Sequence, residues 1–425
     1  MSRSSSQGAF IMRRPLRVAA MGAMAAAALV LAACSAPAAN NGDGGSGATD
    51  VGVTADSIQL GASQTLSGPG AASCAPSTDA AALWFNKVNQ AGGVQGRQIK
   101  FQVLDDGYDP ARAIANVRTF QDSAFALVGA CGSATAAAIY KPLSQAGVPF
   151  LFPTNGVAEV VKPASKGIFQ ILPLYEDQAG SLLRYAFADT GKGSIFTVVN
   201  PLGAYQSVID NSKSTAESLG GTFLNSAVAQ LGTPDYTPIA LQIKEANPDY
   251  VVMSMGGSDS GKFVNALVAQ NALPKKLILG TSASVAGSFL NSYETSAADK
   301  IRFGSSVLLP LGADNECGKL LAGSTMANDP IAIIGCASAQ AITTAMSETK
   351  PLTRENLDKT IESWKDKDAA PGVFAPLTFS ADDHIGLATL YIVQPNKDRK
   401  FNGIAACPYG DEKAIKEACK ALDSK

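Results

Sequence analysis

Ile58-Gln59-Leu60-Gly61-Ala62-Ser63-Gln64-Thr65-Leu66-Ser67-Gly68-Pro69-Gly70 is an uncharged, largely apolar run that ends in a hydroxyl, two glycines and a proline. A short run of this kind, closed by a turn signal, reads as a strand buried on both faces. A helical pattern follows at 78–90, with Leu83, Trp84 and Val88 on one face, and then a second apolar run at 99–104. The unit repeats with a helix at 110–120 and strands at 125–128 and 149–152. Alternation at this spacing predicts right-handed βαβ units and a parallel sheet. The pattern pauses near 172–177 and restarts with strands at 194–199, 222–228, 250–255 and 276–279. Helices at 204–219, 260–273 and 285–293 lie between or after them, so a second parallel sheet is expected. Residues 302–309 read as a strand crossing back to the first half, 331–347 and 354–364 as helices, and 375–379 and 388–393 as closing strands. The expected fold class is α/β, a two-lobed clamshell in which each lobe is a parallel sheet flanked by helices.

The N-terminus carries a different signal. Arg13, Arg14 and Arg17 precede an apolar stretch of mostly small residues, 18–33, which ends at Leu31-Ala32-Ala33-Cys34. The stretch is short for a membrane span and finishes as a cleavable export signal does. It resembles a lipobox, with removal of residues 1–33 and acylation of Cys34. The expected location is the extracytoplasmic face of the cell membrane. Residues 34–55, rich in Ala, Asn, Gly, Ser and Asp, read as a tether. No second apolar run reads as long enough to span a membrane.

Loss of residues 1–33 removes four arginines and no acid, which leaves 30 basic against 36 acidic residues and a net charge of −6. A mildly acidic chain argues against nucleic acid as a partner, since phosphate binding needs clustered Lys and Arg. The 392 residues that remain suggest two cores. Six cysteines remain besides Cys34, an even number that implies disulfides in an exported protein. Several connectivities are open, and the preferred one is Cys74–Cys131, Cys317–Cys336 and Cys407–Cys419. With His384 as the single histidine and no CxxC, no metal site is expected, and no cofactor.

Some motifs mimic catalysis. Gly256-Gly257-Ser258-Asp259-Ser260-Gly261-Lys262 fits a phosphate-cradling loop, but Phe263 replaces the hydroxyl that would hold Mg²⁺. The same loop nearly fits a nucleophile elbow at Ser258, with Asp382 or Asp383 and His384 following in triad order. Ser260 stands where that elbow needs glycine, and the acids adjoin the histidine in one turn, where an exposed His384 is expected. Ser347-Glu348-Thr349-Lys350 lacks the companion motifs of an SxxK enzyme. Stronger signals lie in the loops after the first-half strands: 65–70, 129–135 and 153–156. They are rich in hydroxyls, amides and glycine at the strand ends where open parallel sheets bind ligands. Residues 132–135 would open a helix whose N–H groups suit a carboxylate or carbonyl oxygen.

From about Ser57 to Phe401 the chain resembles the branched-chain amino-acid type of periplasmic solute-binding protein, the receptor of an ABC importer. The resemblance is carried by Leu66-Ser67-Gly68-Pro69, Trp84-Phe85-Asn86-Lys87-Val88-Asn89 with Gly92-Gly93-Val94, and Gly96-Arg97. It continues through Asp105-Asp106 with Asp109-Pro110, Val128-Gly129, Pro153-Thr154, Asp235-Tyr236 before Pro238, and Pro248-Asp249-Tyr250-Val251. It implies a non-enzymatic receptor whose two lobes close on a small organic solute and present a surface to a membrane permease, acting as a monomer. By position, Ser67, Gly132, Ser133, Thr154 and Asn155 would meet the solute's polar head, and Tyr205 would cover it. The lobes implied are 56–174 with 308–376 and 175–307 with 377–401, followed by a disulfide-bearing tail at 402–425. Two positions depart from the family. Ser282 stands where an acid pairs with an α-ammonium, and Gly256 where an aromatic is expected. Unless Asp259 substitutes, a small neutral or anionic solute (an amide, a carboxylate or an aromatic compound) is expected in place of an α-amino acid. An exported serine esterase using Ser258 and His384, and a sensor lipoprotein on the same scaffold, are the alternatives.

Overall fold

The computed structural model describes residues 50–129, 131–201, 205–409 and 419–422; the export signal, Cys34 and most of the expected tether lie outside them. Five strands build the first sheet: β1 (Ser57–Gln64), β2 (Gln98–Asp105), β3 (Ala126–Val128), β4 (Phe150–Leu151) and β5 (Ile168–Phe169). Their order is β2-β1-β3-β4-β5, with every pairing parallel. The second sheet holds β6 (Ser194–Val199), β7 (Thr222–Val228), β8 (Tyr250–Ser254), β9 (Leu277–Gly280), β10 (Ile301–Ser305), β11 (Thr389–Pro395), β12 (Phe401–Pro408) and β13 (Lys420–Ala421). Its order is β13-β12-β11-β10-β9-β8-β6-β7.

The second sheet departs from the expected parallel pattern at one edge. The strands β6 to β10 pair in parallel, but β10–β11, β11–β12 and β12–β13 are antiparallel. A tight turn at 396–400 joins β11 to β12, closed by Asn396 N–H to the Lys400 carbonyl at 2.8 Å. Only antiparallel neighbours can be joined so briefly. Residues 402–408 therefore extend this sheet and are not part of a separate tail.

The expected crossing strand at 302–309 also resolves differently. Its first part is β10, which stays in the second sheet, and the chain crosses only after Ser305. The Ser305 hydroxyl donates to the Val307 carbonyl there (2.9 Å), and Leu308 N–H bonds Val373 on the first-lobe side (2.9 Å). Residues 375–379 form no strand; Leu377 exchanges a single bridge with Lys367. The helix expected at 285–293 shrinks to Gly287–Leu290. Helices Tyr175–Thr190 and Thr237–Ala246 escaped the sequence reading. The first begins directly after a lobe crossing, with no loop to announce it.

The first lobe is held by two helices that touch backbone to backbone. Ala71–Gln90 starts seven residues before the expected position and carries Pro76 within it. It packs on Pro330–Glu348, where a Cβ on Gly335 would stand 1.9 Å from the Ser77 carbonyl oxygen. Trp84 Nε1 donates across the same contact to Thr343 Oγ1 (3.0 Å). Contrary to expectation, Pro330–Glu348 is long and apolar enough to cross a membrane, but 83% of its apolar window is buried inside the protein. It is the core helix of this lobe. Arg354 locks the next helix, Arg354–Glu362, by donating to the carbonyls of Ala124 (2.6 Å), Phe125 (3.1 Å) and Gly147 (3.3 Å).

Three disulfides are present: Cys74–Cys131, Cys317–Cys336 and Cys407–Cys419. Among the described residues, no group of His, Cys, Asp and Glu is placed to hold a metal ion.

Two expectations follow. Gly335→Val must push the two core helices apart, and unfolding in urea should show a loss of about 3 kcal/mol or more. Asp358 is buried on Arg354–Glu362 with Oδ1 unpartnered, and burial pushes its carboxyl up to about 7. The unfolded carboxyl ionises near 3.8, so the folded state binds the extra proton between these values, and stability falls as pH rises from about 4 to about 7. Asp358→Asn removes that titration. The variant should match the parent near pH 4 and exceed it at pH 8 by up to about 4 kcal/mol in parallel urea curves.

Candidate functional site

The loops after β1, β3 and β4 stand side by side at the carboxyl end of the first sheet. Two links bind them. The Cys74–Cys131 disulfide joins the Ala71–Gln90 helix to the β3 loop. The buried Gln64 side chain spans the same gap, accepting from Cys131 N–H (2.7 Å) and donating to the Cys74 carbonyl (2.5 Å). Gly132 then opens helix Ser133–Gln145 with φ at +129°, a conformation that L side chains rarely adopt. Gly132 offers that helix no side-chain cap, and the Tyr108 hydroxyl stands close to its first amides, at Ser133 and Ala134.

What lies beyond is a cavity of about 70 Å³ between the lobes, partly open to solvent. Gly132, Ser133 and Thr154 line it from the first sheet, and Leu172 and Tyr175 from the first lobe crossing. Ser282, Gly256 and Leu231 line it from the loops of the second sheet, with Ile331 and Ile334 from the core helix. Among the described lining residues none carries a charge. The lobes meet around it. Ser73 and Ser288 hydroxyls lie 3.1 Å apart, and Asp329 Oδ1 accepts from Gly287 N–H at 3.1 Å. A larger depression of about 610 Å³ lies outside, beside Leu309, Lys319 and Lys400. No buried unpartnered polar side chain lines it, whereas Tyr108 and Ser282 line the smaller cavity, which is therefore the better candidate.

Ser282 is set with care. Its N–H donates to Gln178 Oε1 at 2.7 Å, and Gln178 Nε2 donates to the Pro173 carbonyl at 2.7 Å, so one buried amide ties the second-lobe loop to the crossing. The Ser282 hydroxyl is left buried without a partner. Tyr108 presents a second unpartnered hydroxyl, close to the Ser133 and Ala134 amides but outside hydrogen-bond geometry. Burial raises the pKa of both Tyr108 and Tyr175, so both are neutral phenols at any physiological pH.

Gly132, Ser133, Thr154 and Ser282 thus share one cavity. Ser67, Asn155 and Tyr205, also expected at the solute, do not line it. The Ser67 hydroxyl donates to Asp105 Oδ2 (2.6 Å) and holds that carboxyl down at about 2, helped by the Leu66 and Gly107 N–H groups. Asn155 is fully buried behind the wall, where its Oδ1 accepts from Val157 N–H (3.0 Å). Tyr205 is 37% exposed at the start of helix Tyr205–Ser218. Asp259 is also out of reach: its Oδ2 takes the Gly232 N–H at 2.8 Å, beneath Leu231.

The sequence reading missed Tyr108, Leu172, Tyr175, Leu231, Ile331 and Ile334. Tyr108 carried a faint signal, since it sits in an Asp-Asp-Gly-Tyr-Asp-Pro turn and adopts a φ of +64°. The apolar residues carried none, because they look like ordinary core.

The catalytic alternatives are not assembled. His384 is buried, not exposed as expected; Nδ1 donates to the Ile168 carbonyl (2.8 Å), the ring stacks on Phe169, and Nε2 lies 3.5 Å from Glu362 Oε1. That places it at the start of β5, among first-lobe residues, whereas Ser258 begins helix Gly257–Ala269 of the second lobe. The glycines of that loop serve packing. A Cβ on Gly257 would stand 2.7 Å from Ala286 Cβ, and one on Gly261 would stand 2.1 Å from Ser292 Oγ.

A leucine-, isoleucine-, valine-, threonine- and alanine-binding protein of Pseudomonas aeruginosa is 25% identical over 204 residues, covering 47% of this chain and 54% of the relative. An amino acid binding protein of the same organism is 24% identical over 186 residues, covering 43% of this chain and 50% of the relative. The chain thus spans about half the length of the curated relatives it matches. Among solved structures, a fatty acid ABC transporter substrate-binding protein from Thermomonospora curvata superposes with a TM-score of 0.76 at 21% identity, covering 87% of this chain and 96% of that one. A branched chain amino acid ABC transporter protein from Thermus thermophilus with bound valine gives 0.74 at 18% identity, covering 86% and 99%. The family model for periplasmic binding proteins matches residues 57–400, and the chain belongs to that family.

Proposed function

We propose that the protein is a lipid-anchored, extracytoplasmic receptor that captures a small organic solute by lobe closure and hands it to the permease of an ABC importer. The observation that carries this reading is the interlobe cavity, whose polar groups come from both lobes and whose walls come from the core helix and a crossing. A solute held there would touch both lobes, so its binding favours their closed arrangement. The named neighbours bind amino acids or fatty acids, and both classes offer a carboxylate head with an apolar tail. Acylation of Cys34 would hold the receptor near its permease.

A thermal-unfolding screen over amino acids, amides, short carboxylates and aromatic acids tests the receptor reading. A true solute at 100 times its Kd should stabilise the protein by about 2.7 kcal/mol. Absence of any shift, together with fluorophosphonate labelling that is lost in Ser258→Ala, would overturn it in favour of an esterase. The anchor is tested separately: Cys34→Ser should move the protein from the membrane fraction to the soluble fraction, and retention in the membrane would refute lipidation at that residue.

A further inference from the structure

The polar end of the cavity is built of donors. Helix Ser133–Gln145 runs for 13 residues and presents an uncapped N-terminus behind Gly132. Such a terminus favours a negative group. Ser282, 5% exposed, lines the cavity and adds a buried hydroxyl with no protein partner. Tyr108 adds a second. These groups converge because Tyr175, beside Ser133, and Gln178, bonded to Ser282, lie one turn apart on a single helix.

What the cavity lacks is as informative. A buried ammonium needs acceptors, and an acid among them, or its desolvation is uncompensated. None of the described lining residues is acidic. The nearest candidates are engaged elsewhere: Asp259 with Gly232 N–H, Asp105 with Ser67 and two backbone N–H groups, and Asp106 with the Ser63 and Thr65 hydroxyls (3.1 and 2.8 Å). A carboxylate, by contrast, can be satisfied wholly by N–H and O–H donors.

The cavity is small, about 70 Å³. The remaining walls are Leu172, Leu231, Ile331 and Ile334, which suit a short aliphatic tail.

We infer that the solute is a small aliphatic monocarboxylate without an α-ammonium group, its carboxylate held by the Ser133 helix terminus and the Ser282 hydroxyl. This rests on the receptor reading and makes Ser282 the residue that selects against amino acids.

The test is calorimetric titration of the purified protein with three probes that share a carbon skeleton: 3-methylbutanoate, valine, which adds the ammonium, and 3-methylbutanamide, which removes the charge. The carboxylate should bind at least tenfold more tightly than either. Ser282→Ala should weaken 3-methylbutanoate by about tenfold or more, as loss of a bond to a charged group does, with the ligand-free melting temperature unchanged. Ser282→Asp should reverse the order and favour valine. Valine binding as tightly as 3-methylbutanoate would overturn the exclusion of amino acids. Equal binding of the amide would overturn the carboxylate head. If none of the three binds but another solute from the wider screen does, the class assigned here is wrong and the receptor reading stands. If no solute binds at all, both fall.

Discussion

Gln170 carries the pairing on which the two-lobed arrangement depends. Its N–H donates to the His384 carbonyl at 2.9 Å, and its own carbonyl accepts from Gly386 N–H at 2.8 Å. Two of the crossings between lobes therefore run side by side as a short parallel ladder. Leu387 N–H continues the ladder to Ile171 (3.2 Å). The chain then enters helix Tyr175–Thr190 on one side and β11 on the other. Tyr409, just past β12, braces the junction by accepting from Leu174 N–H (2.6 Å) and donating to Asp177 (2.8 Å). Such a connection bends more readily than it stretches, because bending leaves the ladder bonds intact.

The buried amides translate that connection into a site. Gln178 reaches from the first turn of its helix to the Ser282 N–H and to the Pro173 carbonyl, so the second-lobe loop is referenced to the crossing. Gln64 does the equivalent work in the first lobe, where it doubles the Cys74–Cys131 link. Both side chains are fully buried, and both have donor and acceptor satisfied. A buried amide left half-bonded would be costly, so each one specifies a single geometry for two loops.

The periodicity of apolar runs was enough to locate the strands of the first sheet and β6 to β9, because parallel strands buried on both faces leave an unbroken apolar trace. It was not enough for the far edge of the second sheet. There β11 and β12 form a hairpin that looks, in sequence, like a closing strand and a cysteine-bearing tail. Site residues followed a similar division. Gly132 and Ser133 were legible because a glycine before a hydroxyl at a strand end signals an open helix terminus. Ser67 lies outside the cavity with its hydroxyl spent on Asp105, and Tyr205 lies outside it at the exposed start of its helix. Ile331 and Ile334 were invisible as site residues, since nothing in an apolar helix marks which of its faces meets a ligand.

In the proposed receptor, closure would divide its cost unevenly between the lobes. The first-lobe wall is already rigid, through a disulfide and the Gln64 amide, so little conformational entropy is lost there when a solute binds. The second lobe supplies what must arrive: Leu231, Gly256 and Ser282. Its approach is secured by contacts outside the cavity. Asp329 accepts at one carboxylate oxygen from both Gly287 N–H and Ile331 N–H, so one charge serves two helix starts, one from each lobe. Gly287 must be glycine for this, as a Cβ there would stand 2.5 Å from the other carboxylate oxygen. Because Ile331 lies two residues beyond Asp329 and also walls the cavity, a solute that seats against it steadies the same helix start that holds the lobes together. In the proposed receptor, solute binding and lobe contact would thus reinforce each other through one turn of the core helix.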